Sequence, residues 1–159
     1  MDAYLLRYIF PAAFALLPAT MNTQKATALL LAIALQESRS LECRQQIGGP
    51  ARGFWQFEMN GGVAGVLSHR NTAALARRVC EALRYQSSVV DCYSAIRDND
   101  VLACCFARLL LWTVPGALPG RDDAALGWQQ YLAGWRPGKP HSETWDAHYS
   151  RAWGLVTGP

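Results

Sequence analysis

Glu37 is the residue best placed to do chemistry in this chain. It follows an apolar run, Ala26–Leu35, that Thr27 alone interrupts. Helical spacing puts Leu30, Ile33, Ala34 and Glu37 on one face. Burial of that helix disfavours an ionised carboxylate, and so does the negative end of its dipole. Both effects raise the pKa toward the range of a general acid working near neutral pH. A Gly- and aromatic-rich stretch follows within twenty residues, Gly48 to Phe57, reading GGPARGFWQF. Farther along, Trp128, Tyr131, Leu132 and Trp135 share one face of a predicted helix.

Glu37-Ser38, a polar spacer and then Gly-Pro-Ala-Arg-Gly-Phe-Trp-Gln-Phe resemble the lytic transglycosylase branch of the lysozyme-like superfamily. In that branch Glu-Ser closes a helix, and a Gly-Ala-x-Gly-(Leu/Phe)-(Met/Trp)-Gln turn follows. Gly53, Trp55, Gln56 and Phe57 match that pattern, with Pro50 inserted just before Ala51. The resemblance covers about the first half of the chain. It implies a lysozyme-like helical domain, Glu37 as catalytic acid and base, and Gln56 in a glycan cleft beside Ser38. Its substrate would be the β-1,4 bond between N-acetylmuramic acid and N-acetylglucosamine in peptidoglycan strands, cleaved with no cofactor and no metal. The glycines of the turn would let main-chain groups approach a sugar, or simply make an ordinary turn.

The family's later Ala-Tyr-Asn-x-Gly segment is absent. Tyr131 to Gly138, YLAGWRPG, stands as a divergent replacement like that of phage-type relatives. Tyr131 is then the candidate for the hydroxyl that orients Glu37, or a plain core aromatic. Trp55 and Trp135 suit a sugar face and a core equally, being apolar with one N–H. Superfamily members of this kind work with a single Glu. It protonates the glycosidic oxygen, then acts as base while the muramic acid's 6-hydroxyl attacks, leaving a 1,6-anhydro end. A hydrolase would need a second carboxylate. Glu42 and Glu58 are the ones near the motif, and spacing places neither across a cleft. Two other readings are a non-catalytic lysozyme-like part of a phage particle and a membrane-active helical protein. Expected partners are peptidoglycan and other phage virion proteins, with location in a virion or host cytoplasm and action at the cell wall.

One domain spanning 1–159 is expected from the length, and 51% apolar against 17% charged residues argues against disorder. The net charge is +3, with the 13 arginines spread along the chain, so no nucleic-acid stripe is present. The five cysteines form no C-x-x-C pair and read as buried free thiols from a reducing compartment. His69, His141 and His148 lack metal-ligand spacing.

No stretch shows strand-like alternation, so an all-α domain is expected, with at most a small hairpin near Cys43–Phe57. The first nineteen residues predict a core-packing helix kinked or restarted at Pro11, with a membrane-targeting segment as the alternative; they are too short and broken for a stable membrane span. Asn22 or Thr23 caps the helix ending at Glu37 or Ser38. Short helices are predicted over Gly61–His69 and Ser87–Ile96. Between them Asn71 caps Thr72–Tyr85, with Leu75, Val79, Ala82 and Leu83 inward. A central buried helix runs from Asp98 or Asn99 to Trp112 with Arg108 as its only charge. Asp122 caps Asp123–Trp135, and Ser142 with Glu143 opens the last helix, to about Leu155.

Overall fold

The computed structural model describes residues 1–46 and 48–158. The fold is all-α, with eight helices and no strand among the described residues. They are α1 (residues 2–15), α2 (Gln24–Glu37), α3 (residues 59–68), α4 (Ala73–Ala82), α5 (Val89–Ile96), α6 (Asp100–Trp112), α7 (Ala124–Trp135) and α8 (Ser142–Thr157). No helix is long and apolar enough to cross a membrane among these residues.

Two helices are apolar nearly all round and form the centre. In α2 every residue from Ala28 to Leu35 is fully buried. In α6 the run from Leu102 to Leu111 is buried, and α6 touches each of α1 to α5 and α7. Arg108 is the charge inside that run. Its Nε donates to the Met21 carbonyl at 2.9 Å, and its guanidinium lies 5.0 Å from the Trp112 ring centre. Loss of water holds its pKa down to about 10. A second buried charge, Asp100, accepts from Arg44 Nη2 at 2.7 Å and from the Tyr4 hydroxyl at 2.9 Å. These bonds tie the loop after α2 to α1 and α6.

The first helix packs into the core through Leu5, Ile9, Phe10, Ala13 and Phe14. The helix type changes next to Pro11, as expected: a wider π-type stretch over Leu5–Ile9 gives way to the α-helical part Phe10–Ala15, whose first turn holds Pro11, where a missing N–H is tolerated. Thr23, not Asn22, caps α2, its Oγ1 accepting from Ala26 N at 3.1 Å. Three expectations are corrected. Thr72 precedes α4 in place of Asn71, because the Thr72 hydroxyl is drawn inward to the Val66 carbonyl at 2.7 Å. That helix also stops at Ala82, which is exposed, and Arg84 turns the chain at φ 61°. Asp123, not Asp122, caps α7, with Oδ1 3.4 Å from Leu126 N. The hairpin near Cys43–Phe57 reduces to two isolated antiparallel bridges, Gln45–Arg52 and Arg52–Phe57.

The last two helices carry an aromatic ladder. Tyr131 stacks on Trp145 with centres 5.4 Å apart, and Trp128 and Tyr149 extend the row. Gly127 permits it: a Cβ there would meet the Tyr149 ring at 2.7 Å. With α8 lying along α2, this ladder brings α7 and Tyr131 to the end of α2.

Candidate active site

Glu37 is the last residue of α2, and the chain reverses immediately after it. Ser38 is fully buried, its Oγ donating to the Ala34 carbonyl and accepting from Leu41 N at 3.1 Å. Arg39, Ser40 and Leu41 all take left-handed conformations, at φ 50°, 59° and 68°. Three such residues in a row are costly for side chains with a Cβ, so the Ser38 bonds and the burial of Leu41 must hold the turn. Gln36 anchors the same helix end to α8. Its Nε2 donates to the His141 carbonyl at 2.9 Å, so its Oε1 accepts, receiving His148 Nδ1 at 2.9 Å. That fixes the proton of His148 on Nδ1 and leaves Nε2 to accept from Ser40 Oγ at 3.2 Å.

The glycine-rich stretch closes against this helix. Gly53 takes φ 73°, with the Ile96 carbonyl 3.2 Å from where a Cβ would stand. Trp55 Nε1 donates to the Leu30 carbonyl of α2 at 2.9 Å. The Trp55 carbonyl in turn accepts from Trp135 Nε1 of α7 at 2.9 Å. One turn before Trp135 on that helix, the Tyr131 hydroxyl donates to Glu37 Oε1 at 2.6 Å. A closed circuit results, α2 to Trp55, Trp55 to α7 and α7 back to Glu37.

A cleft of about 900 Å³ opens over that circuit, lined by Glu37, Gln56, Glu58, Tyr131 and Trp135 among others. Burial pushes the Glu37 pKa up to about 7, the Tyr131 hydrogen bond opposes this, and the negative charge of Glu58 adds to it. Burial, then the proximity of Glu37, pushes the Tyr131 phenol well above its usual range, so it stays a donor. Near neutral pH Glu37 is therefore divided between a proton-carrying acid and a carboxylate.

Four of the six sequence-derived candidates reach this cleft: Glu37, Gln56, Tyr131 and Trp135. Gln56, at φ 50°, donates its Nε2 to the Gly53 and Arg44 carbonyls at 2.7 and 3.2 Å, and its Oε1 has no partner among the described residues. Ser38 and Trp55 are corrected. Both are fully buried and hydrogen-bonded to main chain, so they hold the site from behind and offer no surface to a ligand. Of the two further carboxylates, Glu58 lines the cleft and Glu42 does not. Sequence reasoning passed over the cations on the rim, Arg39, Arg136 and Lys139, none ion-paired among the described residues. Their signal was position: Arg39 follows Glu37-Ser38, and the other two sit in the turn just after Trp135. No group of three or more metal-ligating side chains is present among the described residues.

No protein-family model matches the chain, and no curated protein or solved structure matches it either.

Proposed function

We propose that this protein is a lysozyme-like, peptidoglycan-cleaving glycosidase with Glu37 as its general acid and base. The observation that carries the reading is a carboxyl with a pKa near 7, held by a phenol at 2.6 Å, in the wall of an open cleft. A glycosidic oxygen is a poor leaving group until it is protonated, so the reaction needs such an acid. Protonated Glu37 delivers its proton to the bridging oxygen as the bond to the muramic acid carbon breaks. The carboxylate then left is stabilised by the Tyr131 hydroxyl. It next takes the proton of the 6-hydroxyl as that oxygen closes the 1,6-anhydro ring, which restores the acid. Trp135 supplies an apolar face beside the reacting bond, and Gln56 Oε1 a hydrogen-bond acceptor. The rim cations Arg39, Arg136 and Lys139 suit a polymer that carries carboxylates on its peptide stems.

The test is mass spectrometry of muropeptides released from purified peptidoglycan. The reading expects 1,6-anhydro ends. Reducing ends as the main product would turn it into a hydrolase, with Glu58 as the base that activates water. No released muropeptide would reject the enzyme and favour a structural component of a particle.

A further inference from the structure

Two of the five cysteines face each other across a helical hairpin remote from the Glu37 cleft. Helix α4 ends at Ala82, Tyr85 N returns to the Cys80 carbonyl at 2.8 Å, and Ser88 caps α5 by accepting from Asp91 N at 3.1 Å. This short connection sets Cys80 Sγ and Cys92 Sγ 3.4 Å apart, both fully buried. A disulfide bond is about 2.05 Å long, so little movement separates this contact from a covalent one. The remaining thiols are otherwise placed. Cys105 Sγ points to the Ala13 carbonyl at 3.5 Å, Cys104 is enclosed beside it on α6, and Cys43 lines the cleft.

We propose that Cys80 and Cys92 are a disulfide-forming pair that staples α4 to α5 once the protein meets a disulfide oxidant. The Cys80 thiolate attacks one sulfur of oxidised glutathione, whose S–S bond breaks, and the first glutathione leaves as a thiol with the proton Cys80 gave up. The Cys92 thiolate then attacks the Cys80 sulfur of the mixed disulfide, and the second glutathione leaves with the proton from Cys92. Two protein thiols are oxidised and one glutathione disulfide is reduced to two thiols. The contact is symmetric, so the same balance holds with the two cysteines exchanged. The Cys92 thiol also lies 3.5 Å from the Gln86 carbonyl, so the pair has a second polar neighbour on the Cys92 side. The staple has a mechanical purpose, because α4 and α5 both pack on α3, whose glycines line the cleft. It strengthens that wall in an oxidising compartment, where thiol pairs of this kind become structural bonds.

Oxidised glutathione, followed by alkylation of free thiols and tryptic mapping, tests the pairing. Two peptides, Val79–Arg84 and Tyr85–Arg97, should appear joined, lighter by two hydrogens than their sum. The same joined pair should dominate when reduced, denatured protein refolds in a glutathione buffer, which removes any limit set by burial. Cys105→Ser should keep the link, and Cys92→Ala should abolish it. The melting temperature of the linked protein should exceed that of the reduced one by on the order of 5 °C. Free Cys80 and Cys92 after both treatments would overturn the proposal, as would a dominant link from Cys80 to the peptide holding Cys104 and Cys105. The mapping decides the matter even where Cys92→Ala fails to fold.

Discussion

The Tyr131 hydroxyl reaches Glu37 Oε1 at 2.6 Å across 94 residues of sequence. It donates to a carboxyl that burial has pushed up to about pKa 7, and it favours the charged form. Removing it should therefore raise the Glu37 pKa further. In Tyr131→Phe the alkaline limb of the pH–rate profile should move to higher pH. Turnover should fall by roughly tenfold or more, at least ~1.4 kcal/mol of barrier, because the carboxyl loses its positioning bond. Stability should drop by only about 1 kcal/mol. A folded Tyr131→Phe protein with unchanged rate and unchanged limb would remove Tyr131 from the chemistry.

Glu58 acts on the same group in the opposite direction. Its charge contributes to the raised pKa of Glu37. Glu58→Gln should therefore shift the alkaline limb to lower pH, and the product should remain the 1,6-anhydro sugar. Loss of nearly all turnover in Glu58→Gln, together with reducing-end products from the wild type, would make Glu58 a catalytic base.

How far the sequence discloses this site depends on the range of the interaction. The helix carrying Glu37 and the face carrying Tyr131 follow from spacing, and the caps Thr23 and Asn99 from bonds three residues long. The meeting of Tyr131 with Glu37 came from the resemblance, since no local pattern brings α7 to the end of α2. Trp55 was undecidable locally, because a tryptophan satisfies a core and a sugar with the same atoms. Its bond to Leu30, 25 residues away, decides for the core. The cations after Trp135 were invisible as cleft residues for a similar reason: only the docking of α7 places their turn above Glu37. Pro11 was legible because its effect is local: the helix changes type beside it.

The two tryptophans of the circuit should separate by phenotype. Trp55→Phe removes the bond to Leu30 and some packing, so it should cost about 1–3 kcal/mol of stability. Its KM for wall fragments should change little. Trp135→Ala takes away a half-buried face in the cleft and should raise KM several-fold. Thermal melts paired with saturation kinetics distinguish them. A KM effect at Trp55 as large as that at Trp135 would contradict its assignment to the core.

Glu37 also couples stability to pH. Its folded-state pKa lies above the usual carboxyl value, 4.5 raised to about 7. The folded protein thus holds a proton that the unfolded chain releases, and the stability this gives is fully present below about pH 4.5. It is lost as pH rises through about 7, by on the order of 3 kcal/mol in all. Glu37→Gln cannot ionise, so it should match the wild type at pH 4 and melt several degrees higher at pH 8. Parallel melting curves at both pH values would mean that Glu37 is not desolvated.

The most direct measurement of the central claim is the rate at which Glu37→Gln clears a suspension of purified cell wall, compared with wild type at the same pH. The amide keeps the shape of Glu37 and can still accept from Tyr131, but it cannot give or take the proton. Loss of a general acid costs ~10²–10⁴-fold, so clearance by a folded Glu37→Gln protein should fall below about one hundredth of the wild-type rate. Retention of more than about a tenth of that rate, by a variant whose melting curve shows it folded, would contradict the assignment of Glu37 as the acid.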